Sequence, residues 1–257
     1  MTKILLVGVG KMGGALLNGW SKLPSLVIST LDPHYEDADY ETSSDVSPPF
    51  DIIVLAVKPQ VMTDVAESLK HLATPETLIL SIAAGKTISF FEQIFGAHQP
   101  VIRAMPNTPA LIGKGMSVLC GNDSVSASHR QTAADLLSAV GNVEWIDDES
   151  LMNAVTAVSG SGPAYVFYLI EAMTDAGIAA GLSPALSEKL ARQTVTGAAA
   201  LAEQQPNISA ATLRQNVTSK GGTTEAALNI LMSEHGLSTL MTRAILAAKK
   251  RGEELAN

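Results

Sequence analysis

Six residues near the start of the chain, Gly8-x-Gly10-x-x-Gly13, constrain its fold more than any other feature. They follow the apolar run Ile4–Val7 and precede a helical pattern that ends near Pro24. Glycines at these spacings permit a tight turn, close approach of the backbone to a pyrophosphate, and close packing of helix on strand. The helix N-terminus then faces the phosphates. The motif alone also fits a packing turn or a methyltransferase loop, so its surroundings carry the reading. Beyond it, strand patterns at Leu26–Thr30, Asp51–Val57, Thr77–Ile82, Val101–Arg103 and Met116–Leu119 alternate with helical ones. The continuous apolar run Asp51–Val57 fits a parallel strand buried on both faces. This alternation predicts a parallel sheet with right-handed crossovers, a Rossmann-like α/β domain over residues 1–150.

From about Asp148 the pattern changes. Residues 151–257 hold 21 alanines and three aromatics, a composition suited to close-packed helices. Five helices are predicted, over 148–158, 163–181, 184–203, 209–217 and 223–253, the last broken at Gly236. Pro163 and Pro184 stand at helix starts, where the missing N–H costs nothing. Tyr165–Leu182 is apolar almost all round, interrupted by Glu171, Thr174 and Asp175. A helix without a polar face is buried on several sides, and a second subunit is the simplest cover. Residues 151–257 therefore read as an all-α dimerisation domain.

Charge and composition narrow the partners. The net charge is −8, and no basic cluster exceeds Lys249-Lys250-Arg251, so nucleic acid is a poor partner. No apolar run approaches the roughly 18 residues of a membrane span. Met-Thr-Lys followed directly by a strand is not the pattern of a cleaved signal, so a cytoplasmic protein is expected. Cys120 is the sole cysteine and the histidines lack ligand spacing, which argues against disulfides and metal sites. Cys120 reads as a buried, inert thiol.

Asp32, just past the second strand, is placed to accept from an adenosine ribose hydroxyl or to serve as a turn residue before Pro33. No Lys or Arg lies between Lys22 and Lys58, a window containing Asp32, Glu36, Asp37, Asp39, Glu41, Asp45 and Asp51. A 2′-phosphate would find there only hydroxyls such as Thr30 and Ser43, and the local chemistry leans to NADH. Ala56-Val57-Lys58-Pro59 and Ser81-Ile82-Ala83-Ala84 end consecutive strands, the edge where open α/β sheets bind ligands.

Three further runs are distinctive: Arg103-Ala-Met-Pro-Asn-Thr-Pro109, Ser159-Gly-Ser-Gly-Pro-Ala-Tyr165 and Thr218-Ser-Lys-Gly-Gly-Thr-Thr224. With Val57-Lys58-Pro59-Gln60 and Ser81–Gly85, the whole chain resembles the pyrroline-5-carboxylate reductases. The resemblance implies reduction of 1-pyrroline-5-carboxylate to L-proline by NADPH or NADH, in a homodimer or a larger ring of dimers. It assigns the cofactor to Gly8, Val9, Gly10, Lys11, Met12, Gly13, Ala56, Val57, Lys58, Pro59, Ser81, Ala83, Ala84 and Asn216, beside the Thr30, Asp32 and Ser43 of the acidic window. The substrate falls to Ser219, Gly221, Gly222, Thr223, Thr224 and Thr156, with the Gly-Gly turn and helix start suited to a carboxylate. Thr224 matches the hydroxyl held to bond the ring nitrogen; its alternative is helix capping. Glu149 resembles a position near the active site. Lys220 departs from the family's usual proline, which either loosens the turn or helps steer an anion. The family commonly prefers NADPH, in tension with the acidic window. Two rivals remain: a same-plan β-hydroxyacid dehydrogenase, with Lys189 its only mid-helix lysine candidate, and a dinucleotide sensor without turnover.

Overall fold

The structure, a computed structural model, describes residues 1–256. It divides into two compact units: Met1–Ser161 joined by the C-terminal residues from Ala248, and Gly162–Ala247. The first unit is built on seven strands: β1 (Thr2–Val7), β2 (Leu26–Leu31), β3 (Ile52–Leu55), β4 (Leu78–Ser81), β5 (Val101–Met105), β6 (Gly115–Gly121) and β7 (Gly141–Trp145). Their order in the sheet is β2-β1-β3-β4-β5-β6-β7.

The first five strands run parallel, as expected. The last two do not continue the pattern: β6 pairs antiparallel with β5, and β7 parallel with β6. Between β5 and β6 there is only a short connection around the 3-10 turn Thr108–Ile112, too short for a crossover, so the chain must return antiparallel. The sheet is therefore mixed, and β7 lies outside the strand patterns read from the sequence.

The central strands β3 and β4 and the inner part of β1 are almost wholly apolar because helices cover both faces. Ile4, Leu6, Ile52, Val54, Leu78 and Leu80 face α1 (Lys11–Trp20) and α4 (Ala127–Ser138), around the buried Trp20. Leu5, Val7, Ile53, Leu55 and Ile79 point the other way, toward α2 (Met62–Leu69) and α3 (Ile88–Phe95). The Trp20 indole donates to Leu136 O at 2.8 Å, so burying this large side chain leaves no polar atom stranded.

The predicted helix over 148–158 is three short pieces instead. A 3-10 turn (Glu149–Leu151) leads into α5 (Met152–Val155) and then a π-helical turn (Thr156–Gly160). Ser161 N donates to Thr156 O at 2.8 Å, the five-residue spacing of that turn.

The second unit comprises α6 (Gly162–Ala179), α7 (Pro184–Gln204), α8 (Ala210–Asn216), α9 (Thr223–Leu231) and the first part of α10 (Leu237–Ala256). Ser183 caps α7 through Leu186 N, with Pro184 in its first turn. The expected break before α10 falls at 232–236, where a Cβ on Gly236 would lie 2.2 Å from Leu231 O. Within this unit α6 and α7 pack closely, and Ser187 Oγ donates to Thr174 O at 2.6 Å. Yet only Ser187 and Ala191 are buried, while Phe167 is 60 % and Tyr168 68 % exposed. This helical unit has no interior of its own, and its apolar faces call for a second copy.

Candidate functional site

The glycine turn shows three residues of one type under three different constraints. Gly8 has φ +94°, a conformation L side chains rarely adopt, and its N–H donates to Leu31 O at 2.9 Å. A Cβ on Gly13, in the first turn of α1, would lie 2.0 Å from Gly8 O and 3.3 Å from Ala56 Cβ. Gly10, the N-cap of α1, has an ordinary φ of −69°, and a Cβ there would meet nothing within 4 Å. Gly8 and Gly13 are thus required by the fold, whereas Gly10 keeps space clear in front of the helix. No side chain caps α1, so its first N–H groups serve an incoming anion. These residues fit the pyrophosphate of a dinucleotide.

A cavity of about 560 Å³ opens on this turn. Among the expected cofactor residues, Gly8, Gly10, Asp32, Ser43, Ala56, Val57 and Lys58 line it. Val9 contributes through its backbone, donating to Asp32 Oδ2 at 2.7 Å, and His34 N donates to Asp32 Oδ1 at 2.8 Å. Lys11 is exposed on the first turn of α1, and Met12 packs on the core beneath it. Thr30 stands apart. It is buried, and its N–H and hydroxyl both donate to Asp39 Oδ2, at 2.8 and 3.0 Å.

A second cavity of about 310 Å³ brings together Pro59, Ala84 and Thr156 from the expected set. Its other walls are Gln60, Gly85, Lys86, Asn153, Gly252 and Leu255. Ser81 and Ala83 do not line it; both are buried, with Ala83 N donating to Ser81 Oγ at 3.3 Å. Thr156 sits on the π-helical turn and donates its hydroxyl to Met152 O at 2.8 Å. The turn is anchored by Asn107, which accepts from Met116 N at 2.8 Å and donates to Ser159 O at 3.2 Å. Sequence reasoning missed Lys86, Asn153, Gly252 and Leu255. Lys86 Nζ sits 4.3 Å from the Phe90 ring centroid, a cation–π contact that holds its charge at this cavity. No local pattern marks Gly252 or Leu255, which reach the site only through the fold.

Glu149 is a structural hub. Its Oε1 accepts from Arg103 Nη1 at 2.9 Å and from Ile88 N, in the first turn of α3, at 3.0 Å. Arg103 is 3 % exposed, and its Nη2 has no hydrogen-bond partner. Cys120, opposite Arg103 in the β5–β6 register, is buried. Burial pushes its thiol pKa up, and the Glu149 carboxylate adds to the rise. That keeps it protonated and inert.

In the helical unit, the turn Ser219–Gly222 leads into α9. Gly221 has φ +72°, and its N–H donates to Glu225 Oε2 at 2.7 Å. The N-cap of α9 is Gly222, and no side chain caps the helix. Capping therefore does not account for Thr223 or Thr224, which occupy the first two helical positions. Lys220 is exposed in the turn, and exposed Asn216 closes α8.

Residues 149–255 match the family described as pyrroline-5-carboxylate reductase dimerisation, and residues 3–85 that described as NADP oxidoreductase, coenzyme F420-dependent. A pyrroline-5-carboxylate reductase of Pseudomonas aeruginosa is 42% identical, the alignment covering 99% of this chain and 97% of that one. The structure of a pyrroline-5-carboxylate reductase from Coxiella burnetii superimposes with a TM-score of 0.91 at 33% identity, over 100% of this chain and 99% of that one. One from Plasmodium falciparum, with NADP bound, gives 0.85 at 29% identity, over 100% and 98%.

Proposed function

The chain belongs to the pyrroline-5-carboxylate reductase family, NAD(P)H-dependent oxidoreductases that reduce 1-pyrroline-5-carboxylate to L-proline in proline biosynthesis, and from that premise we propose how its residues divide the work. The turn Gly8–Gly13, with Val9, Lys11 and Met12 in it, holds the pyrophosphate. Asp32 and Ser43 take the adenosine ribose, and Thr30 acts through Asp39 rather than by contact. Ala56–Pro59, Ser81, Ala83, Ala84 and Asn216 serve the nicotinamide half. When bound, the cofactor supplies a hydride.

The protein's own part is orientation and electrostatics. Ser219, Gly221, Gly222 and Thr223 receive the substrate carboxylate at the helix start, and Thr156 shapes the pocket wall. Thr224 hydrogen-bonds the ring nitrogen, favouring the protonated imine, whose carbon is the better hydride acceptor. The enzyme is a homodimer, in keeping with a helical unit whose apolar faces lack an interior. A ring of such dimers in the cytoplasm is the larger arrangement proposed. Among the described residues no helix is long and apolar enough to cross a membrane.

The observation that carries the nucleotide reading is Gly10, a turn residue with ordinary φ that keeps open space in front of an uncapped helix. Initial rates of pyrroline-5-carboxylate reduction test the rest. Thr224→Ala should lower kcat by roughly 10²–10⁴-fold, the range in which positioned groups that assist protonation act, while cofactor affinity holds. Unchanged kcat removes Thr224 from the mechanism. Cofactor binding without turnover in the unaltered chain supports the sensor reading instead.

A further inference from the structure

A strap runs along the outer edge of β2. Asp39 is tied to Thr30 by three hydrogen bonds, two into its Oδ2 and one from its own N–H to Thr30 Oγ1 at 3.0 Å. Tyr40 N then donates to Thr30 O at 3.0 Å and Asp32 N to Tyr40 O at 3.1 Å, so Tyr40 pairs with Leu31 as a one-residue parallel bridge. The 3-10 turn Ser43–Asp45 follows, closed by Thr42 Oγ1 donating to Asp45 Oδ2 at 2.8 Å. Both ends of the strap are thereby anchored, and Glu41 between them lines the nucleotide cavity with Asp32, His34 and Ser43.

The charges around that end of the cavity are unequal. Asp32 is held in place by two backbone N–H groups, and each of its oxygens keeps a free lone pair for a ribose hydroxyl. Glu41 adds a second carboxylate with no cation among the strap residues. Among the described residues that line the cavity Lys58 is the one Lys or Arg, and it lies three residues past the end of β3. In the order strap, β2, β1, β3, the strand that precedes Lys58 stands three places from the strap.

We propose that Glu41 is a specificity-determining residue that, with Asp32, selects the cofactor whose adenosine ribose bears a free 2′-hydroxyl. A 2′-phosphate carries between one and two negative charges at neutral pH and would face two carboxylates at this end of the cavity. Like charges placed together in a binding site act chiefly by rejecting the wrong ligand. Thr30 and Asp39 hold the strap that delivers Glu41. This inference rests on reading the glycine turn as the dinucleotide site.

Calorimetric titration of the full-length dimer tests it, with NADH, NADPH, 5′-AMP and adenosine 2′,5′-bisphosphate as ligands. The unaltered protein should bind NADH and 5′-AMP more tightly than their 2′-phosphorylated counterparts, by on the order of tenfold or more. Glu41→Gln should shrink that ratio several-fold and Glu41→Lys should shrink it further. Added salt should narrow the gap in the unaltered protein more than in Glu41→Gln, because the repulsion is screened. NADPH binding as tightly as NADH, or a ratio within twofold of the unaltered value in both variants, overturns the assignment. Failure of all four ligands to bind the folded dimer overturns the nucleotide-site reading itself.

Discussion

Truncating Glu149 to alanine should destabilise the nucleotide unit by several kcal/mol, because it breaks a largely buried ion pair. Its Oε1 serves both Arg103 Nη1 and the Ile88 N–H. The substitution would leave a guanidinium at 3 % exposure with both terminal nitrogens unpaired, since Nη2 has no partner to begin with. Removing one partner of a buried ion pair costs about 3–5 kcal/mol. The Glu149 side chain is 26 % exposed, so water can reach part of the hole, and about 2–4 kcal/mol is the better figure. At roughly 2–4 °C per kcal/mol for a unit of this size, the melting temperature should fall by about 5–15 °C. Glu149→Gln keeps an acceptor for Ile88 and should lose about half as much. The double variant Arg103→Met, Glu149→Leu removes both charges and should recover most of the loss. Urea unfolding followed by circular dichroism is the assay, at one protein concentration because dimerisation adds to apparent stability. A Glu149→Ala loss under about 0.5 kcal/mol, or a double variant as unstable as the two single losses added, would refute the reasoning.

The glycine turn makes a paired prediction: Gly13→Ala should fail to fold stably, whereas Gly10→Leu should fold normally and bind NADH at least tenfold more weakly, read by thermal melting and nucleotide titration. Equal stability of the two variants would contradict the contacts. Cys120 sets an alkaline limit. Its folded pKa is raised, so its contribution is fully present below the unfolded thiol pKa of roughly 8.5 and is lost as pH climbs toward the folded value. Cys120→Ala should flatten the fall in stability above that pH, and an unchanged pH profile would exclude the thiol as its source. Finally, Tyr168→Asp should shift the dimer toward monomer in sedimentation experiments and abolish turnover, with the far-ultraviolet spectrum of the nucleotide unit retained. A dimer as tight as the unaltered one would place the subunit contact elsewhere.

Where short-range physics decides a feature, the amino-acid sequence shows it. Strands buried on both faces must be apolar at every position, so β1 and β3 are visible as runs. Pro184 after Ser183, and the glycines at 8, 10 and 13, are local backbone chemistry. β7 is not visible, because Gly141–Trp145 is a half-buried strand whose alternate residues are polar or exposed. Thr30 illustrates a different limit. Its hydroxyl lies in the right window for a cofactor ligand, but a residue nine positions on claims it, and only the path of the strap reveals that. The Arg103–Glu149 pair spans 46 residues, and no spacing rule connects them. Gly252 and Leu255 reach the second cavity in the same way, from the far end of the chain.

The helical unit is inserted within the nucleotide unit, since residues from Ala248 onward return to the body formed by the first 161. Protein synthesis gives that arrangement an order in time. A nascent chain that has just passed Ser161 already carries the glycine turn, Asp32 and the strap. The second cavity still lacks Gly252 and Leu255, which leave the ribosome only after every residue of the helical unit has done so. Every residue lining the glycine-turn cavity is therefore synthesised before the neighbouring pocket is complete, since the last wall of that pocket arrives with α10.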